Sequence, residues 1–207
     1  MNVDVKQAYW DKIYQEKDPM EVSWYQNEPD VSLNFITKLT GKTKEAQIID
    51  VGGGASVLID YLLNLGFSNV AVLDISLNAI NYSKDRLSER ASMVEWYVSD
   101  VTEFSSLHLY DIWHDRAVFH FLLEPSQRAK YVKTLKNTLR KGGYAIIATF
   151  AKDGPKKCSG LDIVQYDSTS IQSELGDSFK LLNQQSEIHI TPNGSEQHFN
   201  YFLFQLV

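Results

Sequence analysis

The chain has 207 residues, 43% of them hydrophobic, and a net charge of −6. This length allows one sizeable core but not two ordinary domains, so we expect a single domain over residues 1–207. The acidic balance disfavours a nucleic-acid partner, because binding to phosphates depends on clustered lysines and arginines. The single cysteine, Cys158, can form neither an internal disulfide nor, by itself, a thiolate metal site, so no metal is predicted.

The apolar runs are shorter than the roughly 18 residues that a membrane-spanning helix needs. The amino terminus, MNVDVKQAYWDK, lacks the pattern of a secretion signal. These features predict a cytoplasmic protein without a membrane partner.

Residues 1–45 predict a helical lid, with helices near Val5–Lys17 and Val31–Leu39 on either side of the aromatic stretch VSWYQNEP. In residues 46–207, short β-type runs alternate with helical ones, which is typical of a parallel sheet covered by helices. The predicted strands are Gln47–Val51, Val70–Ile75, Val94–Ser99, Tyr110–Val118 and Tyr144–Phe150, and the predicted helices between them lie at about 55–65, 77–90 and 126–140.

Several element boundaries are marked by their own residues. Gly66 suits a left-handed helix end, and Ser76 suits an N-cap. The segment EPSQRAKYVKTLKNTLRKGGY predicts a helix with Arg140 and Lys141 in its last turn, ended by the glycine pair that follows. Two long β-type runs near the end are separated by TPNGS, and Asn-Gly between such runs predicts an antiparallel hairpin.

The stretch IIDVGGGAS, residues 48–56, places three glycines directly after a buried-strand pattern. Because Gly52 and Gly54 lack a Cβ, the chain can turn sharply there and bring its amide groups close to a ligand. The helix that follows would direct its N-terminal N–H groups at the same crevice. The stretch therefore predicts a bound cofactor, although a turn built for packing alone is the alternative.

Three carboxylates end successive predicted strands: Asp50, Asp74 and Asp100. The carboxyl ends of parallel strands share one edge of the sheet, where ligands bind in open α/β folds. Asp74 is predicted to accept both hydroxyl hydrogens of a ribose. Asp100 is predicted to accept from an adenine amine, with Ile75 and Val101 on the two faces of the ring. The alternative is that these acids only cap turns.

A nicotinamide dinucleotide site would use the same turn and ribose acid, but Val57 stands where its G-x-G-x-x-G pattern needs the third glycine. The chain instead resembles the class I S-adenosylmethionine-dependent methyltransferases. Their E/D-x-G-x-G-x-G motif matches Asp50, Gly52 and Gly54, with Ser56 in place of the last glycine.

The resemblance implies an α/β, Rossmann-like, seven-stranded, mostly parallel sheet in the order 3-2-1-4-5-7-6, with strand 7 antiparallel and helices on both faces. It also implies S-adenosyl-L-methionine as cofactor and S-adenosyl-L-homocysteine as product.

The early stretches WDKIYQEK and SWYQ are similar to the lid of a type 12 subgroup that includes bacterial small-molecule enzymes and eukaryotic protein lysine methyltransferases. In such lids, aromatic side chains cover the methionine end of the cofactor. The matching candidates are Trp10, Tyr14, Trp24 and Tyr25. The alternative is that these side chains only pack between the lid and the core and do not contact a cofactor.

The segment YDIWHDRAVFHFL resembles the fourth strand of the family, whose end faces the acceptor. His120 is the first candidate for a general base, because imidazole titrates near neutral pH, and Asp115 or His114 are alternatives. Histidines in such an apolar run are otherwise core residues. The predicted activity is methyl transfer to a small molecule or a protein lysine; a nicotinamide-dependent oxidoreductase and a non-catalytic nucleotide-binding module remain as alternatives.

Overall fold

Helices cover both faces of a seven-stranded sheet in the computed structural model, which describes residues 3–207. Within those residues, no helix combines the length and apolar character that crossing a bilayer requires. The helices are α1 Val3–Glu16, α2 Asp30–Thr40, α3 Leu58–Asn64, α4 Leu77–Leu87, α5 Pro125–Thr138 and α6 Ser168–Leu175. The strands are β1 Ile48–Val51, β2 Val70–Asp74, β3 Val94–Val98, β4 Tyr110–Arg116, β5 Leu139–Phe150, β6 Lys157–Cys158, β7 Leu161–Asp162, β8 Phe179–Ile190 and β9 Glu196–Leu206.

The sheet has the order β3-β2-β1-β4-β5-β9-β8, and β6 and β7 form a separate small hairpin. Strands β1 to β5 pair in parallel, whereas β9 runs antiparallel to both β5 and β8. The predicted order and the antiparallel strand are therefore confirmed. Gly194 in the β8–β9 turn has φ +82°, as the Asn-Gly hairpin signal predicts.

Two apolar cores lie on opposite faces of the sheet, because successive side chains of a strand point to opposite faces. Ile48 and Ile146 pack with α2 and α3 on one face. Their chain neighbours Ile49 and Ile147 pack with α5 and α6 on the other. Burial on both faces explains why β1 and β5 are apolar nearly throughout.

The predicted helix over 126–140 was wrong at its carboxyl end, because α5 stops at Thr138 and β5 already begins at Leu139. Leu139 pairs with Tyr110 of β4 and is buried in the core, which holds this part of the chain extended. Arg140 consequently does not cap a helix; its Nη1 lies 2.9 Å from Asp111 Oδ1.

Two other boundaries differ from the prediction near the carboxyl ends of the strands. Helix α3 begins at Leu58, later than the expected start at Ala55 or Ser56. Strand β4 ends at Arg116 because Ala117 adopts φ +71°, a left-handed conformation that an extended strand cannot contain. Helix α6 and the β6–β7 hairpin were not predicted.

Candidate functional site

A cleft opens at the carboxyl ends of the central strands, with α1 lying across it. The space between its walls, including the open mouth, is about 840 Å³. The residues at the end of β2 and directly after β2 and β3 form what we call the β2–β3 side: Leu73, Asp74, Ile75, Ser99, Asp100 and Val101. The β4–β6 side is formed by Arg116, Ala117, Val118, Phe121, Leu122 and Cys158, and the lid contributes Lys6, Trp10, Tyr14 and Trp24.

The glycines after β1 are required by close contacts within the protein. Gly52 has φ +71°, and a Cβ there would overlap Val118 Cγ2. A Cβ on Gly54 would lie 2.7 Å from Asp74 Oδ2. The turn after β1 therefore touches both sides of the cleft, and only glycine fits between them.

Asp74 is held at the end of β2 by backbone donors. Gly54 N donates to its Oδ2 at 2.9 Å, and Ser76 N donates to its Oδ1 at 2.8 Å. Burial raises the pKa of this carboxyl to about 6, against the opposing effect of these hydrogen bonds. Each carboxylate oxygen has a second lone pair, so the group can still accept two donors from a ligand.

Asp100 already has partners on both of its carboxylate oxygens. Thr102 donates to Oδ1 from its N and its Oγ1, each at 2.8 Å, and Lys6 Nζ donates to Oδ2 at 2.9 Å. Burial alone would raise the pKa of Asp100, but the donors from Thr102 and Lys6 outweigh it and hold that pKa below its usual value. Oδ1 thus has two donors, whereas Oδ2 has one and can accept another beside the Lys6 ammonium.

Asp50 lies in the wall of a second, smaller cavity that adjoins the cleft beneath the loop after α1. Its Oδ1 is 2.7 Å from His114 Nδ1, and His114 Nε2 is 2.8 Å from Ser32 Oγ. All three side chains are buried. This chain of contacts ties β1 to β4 and to α2, so the structure gives Asp50 and His114 a role in positioning these elements.

The predicted aromatic lid residues do meet, at one end of the cleft. Trp24 Nε1 donates to Tyr14 OH at 3.2 Å. The ring centroids of Trp10 and Trp24 are 5.8 Å apart, and those of Trp10 and Phe121 are 5.2 Å apart, both edge to face. Tyr25, in contrast, lines only the smaller cavity. The aromatic wall thus joins the lid to the β4–β6 side.

Three polar contacts fix α1 to the two sides of the cleft. Besides the pair between Lys6 and Asp100, Asp11 Oδ1 accepts from Ser76 Oγ at 2.7 Å. Tyr9 OH donates to the carbonyl of Ser159, next to β6. Lys6, Asp11 and Tyr9 were not identified from the sequence, because their partners lie at separations of 65 to 150 residues and no local pattern marks them.

The structure does not bring His120 to the cleft. The residue is fully buried, with its ring centroid 4.5 Å from that of Phe121 and 4.9 Å from that of Phe150. Burial, with a smaller contribution from Arg116, lowers its pKa to about 3. His120 is thus neutral and packed in the core; its assignment as a base stays a prediction.

Asp115 is also buried away from the cleft surface. It accepts from Tyr131 OH at 2.6 Å, from Val118 N at 2.9 Å and from Phe119 N at 3.2 Å. Burial raises its pKa to about 6, although these donors oppose the shift. The geometry gives it the role of holding the turn in which Ala117 and Val118 line the cleft.

Arg116 lines both the cleft and the smaller cavity. Its Nε donates to Tyr201 OH at 2.9 Å and its Nη1 donates to the carbonyl of Trp24 at 2.8 Å. The carboxylate of Glu187 is 4.0 Å from Nη2, and the guanidinium carbon lies 4.3 Å from the ring centroid of Phe199. No pattern in the sequence distinguishes Arg116 from the other polar residues of the predicted strand Tyr110–Val118.

Comparison with known proteins agrees with this architecture. Residues 49–147 match a family described as a methyltransferase domain. The chain is 29% identical over 162 residues to EEF1A lysine methyltransferase 2 of Homo sapiens and 27% identical to that of Mus musculus, with 68% of this chain covered. The match spans 66% and 64% of the length of these two relatives.

Solved structures share the fold at low sequence identity. An N-methyltransferase from Bradyrhizobium japonicum, determined with S-adenosyl-L-homocysteine, superposes with a TM-score of 0.72 at 13% identity and 97% coverage of both chains. Magnesium protoporphyrin IX methyltransferase from Synechocystis, with the same bound product, gives a TM-score of 0.72 at 14% identity and 100% coverage of both chains.

Proposed function

We propose that the chain is a class I S-adenosylmethionine-dependent methyltransferase and that it transfers the methyl group to a small molecule. The match of residues 49–147 to a methyltransferase domain and the similarity to two lysine methyltransferases support the first part of this proposal. The observation that carries this proposal is the anchoring of α1 across the cleft by contacts with Asp100, Ser76 and Ser159. An acceptor must fit beneath this lid, against the aromatic wall formed by Trp10 and Phe121. A small, partly apolar molecule meets that requirement with little rearrangement.

The residues of the β2–β3 side fit the adenosine part of the cofactor. Asp74 retains acceptor capacity for the two ribose hydroxyls, since its present donors use one lone pair of each oxygen. Ile75 and Val101 supply apolar faces for the adenine ring, and Asp100 accepts from its amine through the lone pair of Oδ2 that Lys6 leaves free. The bare backbone at Gly52 and Gly54 allows the close approach of the ligand.

S-adenosylmethionine supplies an electrophilic methyl group on a sulfonium whose leaving group is a neutral thioether. The protein's contribution is then orientation, which can lower a barrier by about 7 to 11 kcal/mol when two reactants are well aligned. Trp10, Tyr14 and Trp24 cover the cleft and exclude water. Asp50 positions the turn after β1 through His114 rather than by lining the cleft itself.

A general base is required only for an acceptor that keeps its proton at the moment of transfer. His120 and Asp115 remain the proposed candidates, and each would reach the acceptor only through a rearrangement of the turn over residues 117–121. An acceptor that is already deprotonated would need neither of them.

A protein lysine is the second candidate acceptor, favoured by the similarity to the two EEF1A lysine methyltransferases. The charge of Arg116 in the cleft wall opposes it, because a guanidinium is always cationic and repels a lysine ammonium.

Mass spectrometry with methyl-labelled S-adenosylmethionine would separate the two acceptors. Purified protein is incubated with a low-molecular-weight extract and, separately, with a macromolecular extract depleted of small molecules. We expect labelled product only in the first. Labelled lysine in the second, with none in the first, would contradict the proposal.

A further inference from the structure

We propose that Arg116 recognises a carboxylate on the methyl acceptor, an inference that rests on the small-molecule acceptor proposed above. Arg116 is the last residue of β4, and its side chain lines both the cleft and the adjoining cavity. It stands on the side of the cleft opposite Asp74 and Asp100, which come from β2 and β3. A group bound there would fix the acceptor relative to the cofactor.

The guanidinium retains unused donors. Of its five N–H groups, one on Nε and one on Nη1 are directed at neutral oxygens, those of Tyr201 and Trp24. Within residues 3–207, Nη2 has no hydrogen-bond partner. The side chain is only 10% exposed, so water does not compensate this charge well. A carboxylate beside the guanidinium would compensate this charge and accept charge-assisted hydrogen bonds from the unused N–H groups.

Glu187 does not fill this role in the structure. Its Oε2 is 4.0 Å from Arg116 Nη2, beyond hydrogen-bond distance. The same carboxylate is held by Tyr201 OH at 3.0 Å and by Gln26 Nε2 at 3.1 Å. These two donors hold Glu187 out of hydrogen-bond contact with Arg116, so the buried Nη2 is left without an acceptor.

Arg116 is the charged side chain that an acceptor would contact in the cleft, because the other charged residues are paired or lie on the cofactor side. Among the cleft-lining side chains of the described residues, four are charged: Lys6, Asp74, Asp100 and Arg116. Lys6 is paired with Asp100, and Asp74 lies on the β2–β3 side. The β4–β6 side is therefore positive, which attracts an anionic acceptor and disfavours an ammonium.

The surroundings of Arg116 indicate the rest of the acceptor. Trp24, whose carbonyl accepts from Arg116, packs edge to face with Trp10, and Trp10 packs with Phe121. This wall is apolar apart from the ring nitrogens. The class of acceptor that fits is a small organic acid with an apolar or aromatic body.

The test compares matched acids and amides on protein loaded with S-adenosyl-L-homocysteine. The probe pairs are benzoate with benzamide, indole-3-acetate with indole-3-acetamide, and butyrate with butyramide, titrated by calorimetry and by tryptophan fluorescence. The variants are Arg116→Gln and Arg116→Lys. Arg140→Gln is the control, since Arg140 is an exposed arginine that does not line the cleft.

We expect at least one acid to bind about tenfold or more tightly than its amide, the effect of a hydrogen bond to a charged group. Arg116→Gln should abolish this preference, Arg116→Lys should keep part of it, and Arg140→Gln should leave it unchanged. Affinity for S-adenosyl-L-homocysteine should stay within about twofold in all variants.

Either of two results with the acids and amides would overturn the inference. One is that the unaltered protein prefers no acid over its amide at millimolar concentration, and the other is that a preference survives in Arg116→Gln. The first comparison needs no variant and holds even if Arg116→Gln fails to fold. A folded Arg116→Gln that loses S-adenosyl-L-homocysteine would also overturn it, because Arg116 would then serve the cofactor. Failure of the unaltered protein to bind S-adenosyl-L-homocysteine would instead refute the proposed function.

Discussion

The two sides of the cleft are built in different ways. On the β2–β3 side, the polar groups stand directly at strand ends, as Asp74 does, and backbone N–H groups of neighbouring turns orient them. On the β4–β6 side, Arg116 and Phe121 are positioned by contacts with the lid and with β9. The strand-end geometry of the first side is local, although Lys6 and Asp11 of the lid also contact it. The second side depends on packing between distant segments.

This difference suggests how the two sides tolerate change. A substitution on the β2–β3 side should act on cofactor affinity through one or two contacts. A substitution on the β4–β6 side should act on acceptor selection and on the placement of the lid.

The largest effect is expected where the two sides touch, at Gly52. In Gly52→Ala, the new methyl group overlaps Val118 and the residue must keep φ +71°. Overpacking and left-handed strain together should lower the free energy of unfolding by about 3 kcal/mol. Denaturant titration of both proteins measures this difference in the free energy of unfolding. Gly142→Ala is the control, since Gly142 has φ +80° with nothing within 4 Å of a Cβ. Equal losses in both variants would show that Gly52 does not bridge the two sides.

Asp74→Ala should weaken binding of S-adenosyl-L-homocysteine by roughly 1 to 3 kcal/mol, because ligand hydroxyls would lose a buried charged acceptor. Calorimetry gives the affinity. Asp85→Ala, an exposed acid on α4, is the matched control and should change nothing. An unchanged affinity in Asp74→Ala would remove the ribose assignment.

The raised pKa of Asp74, about 6, predicts a pH dependence for the β2–β3 side. The ionised carboxylate accepts hydrogen bonds from hydroxyls, so affinity for S-adenosyl-L-homocysteine should fall as pH drops below about 6. The effect of pH on the stability of the ligand-free protein has the opposite sign. Because the folded pKa lies above the unfolded value, the native state without ligand holds the proton more tightly, and this contribution to stability is lost as pH rises through about 6.

Asp115 titrates in the same range and should add to the stability profile. Asp74→Asn separates the two groups. This variant should flatten the pH dependence of binding while part of the stability profile remains. A binding profile that stays as steep in Asp74→Asn would assign the titration to another group.

The smallest effect is expected from Lys6→Ala, which removes the contact between the lid and the β2–β3 side. Partly exposed ion pairs contribute about 0.2 to 1 kcal/mol, so the dissociation rate of S-adenosyl-L-homocysteine should rise by no more than about fivefold. Stopped-flow fluorescence follows the release. Lys12→Ala serves as control, because Lys12 pairs with Glu16 on the outer surface of α1; the same change in rate there would rule out a specific contact.

The sequence predicted the β2–β3 side well, for a physical reason. Residues at the ends of parallel strands must meet at one edge, so the pattern that identifies the strands also brings Asp74 and Asp100 together. The resemblance to the methyltransferase family implied the strand order, and the TPNGS segment predicted the antiparallel hairpin of β8 and β9. Val57 correctly argued against a nicotinamide dinucleotide site, and the match to a methyltransferase domain supports the cofactor that the resemblance implied.

The β4–β6 side could be predicted only in part. The aromatic lid residues were identified, but the sequence placed His120 at the acceptor because it follows β4. The left-handed conformation of Ala117 turns the chain, and His120 enters the core beside Phe150. A positive φ at alanine has no sequence signature. The contacts of Arg116 with Tyr201 and Trp24 likewise depend on tertiary packing.

Helix α1 has one further property: none of the residues Val3–Glu16 is fully buried. Its attachment depends on a few polar bonds and half-buried rings rather than on the core, so undocking it requires far less free energy than global unfolding. In hydrogen exchange under native conditions, α1 should therefore open before the sheet does, in a separate step that gives ligands a route in and out while the core stays folded.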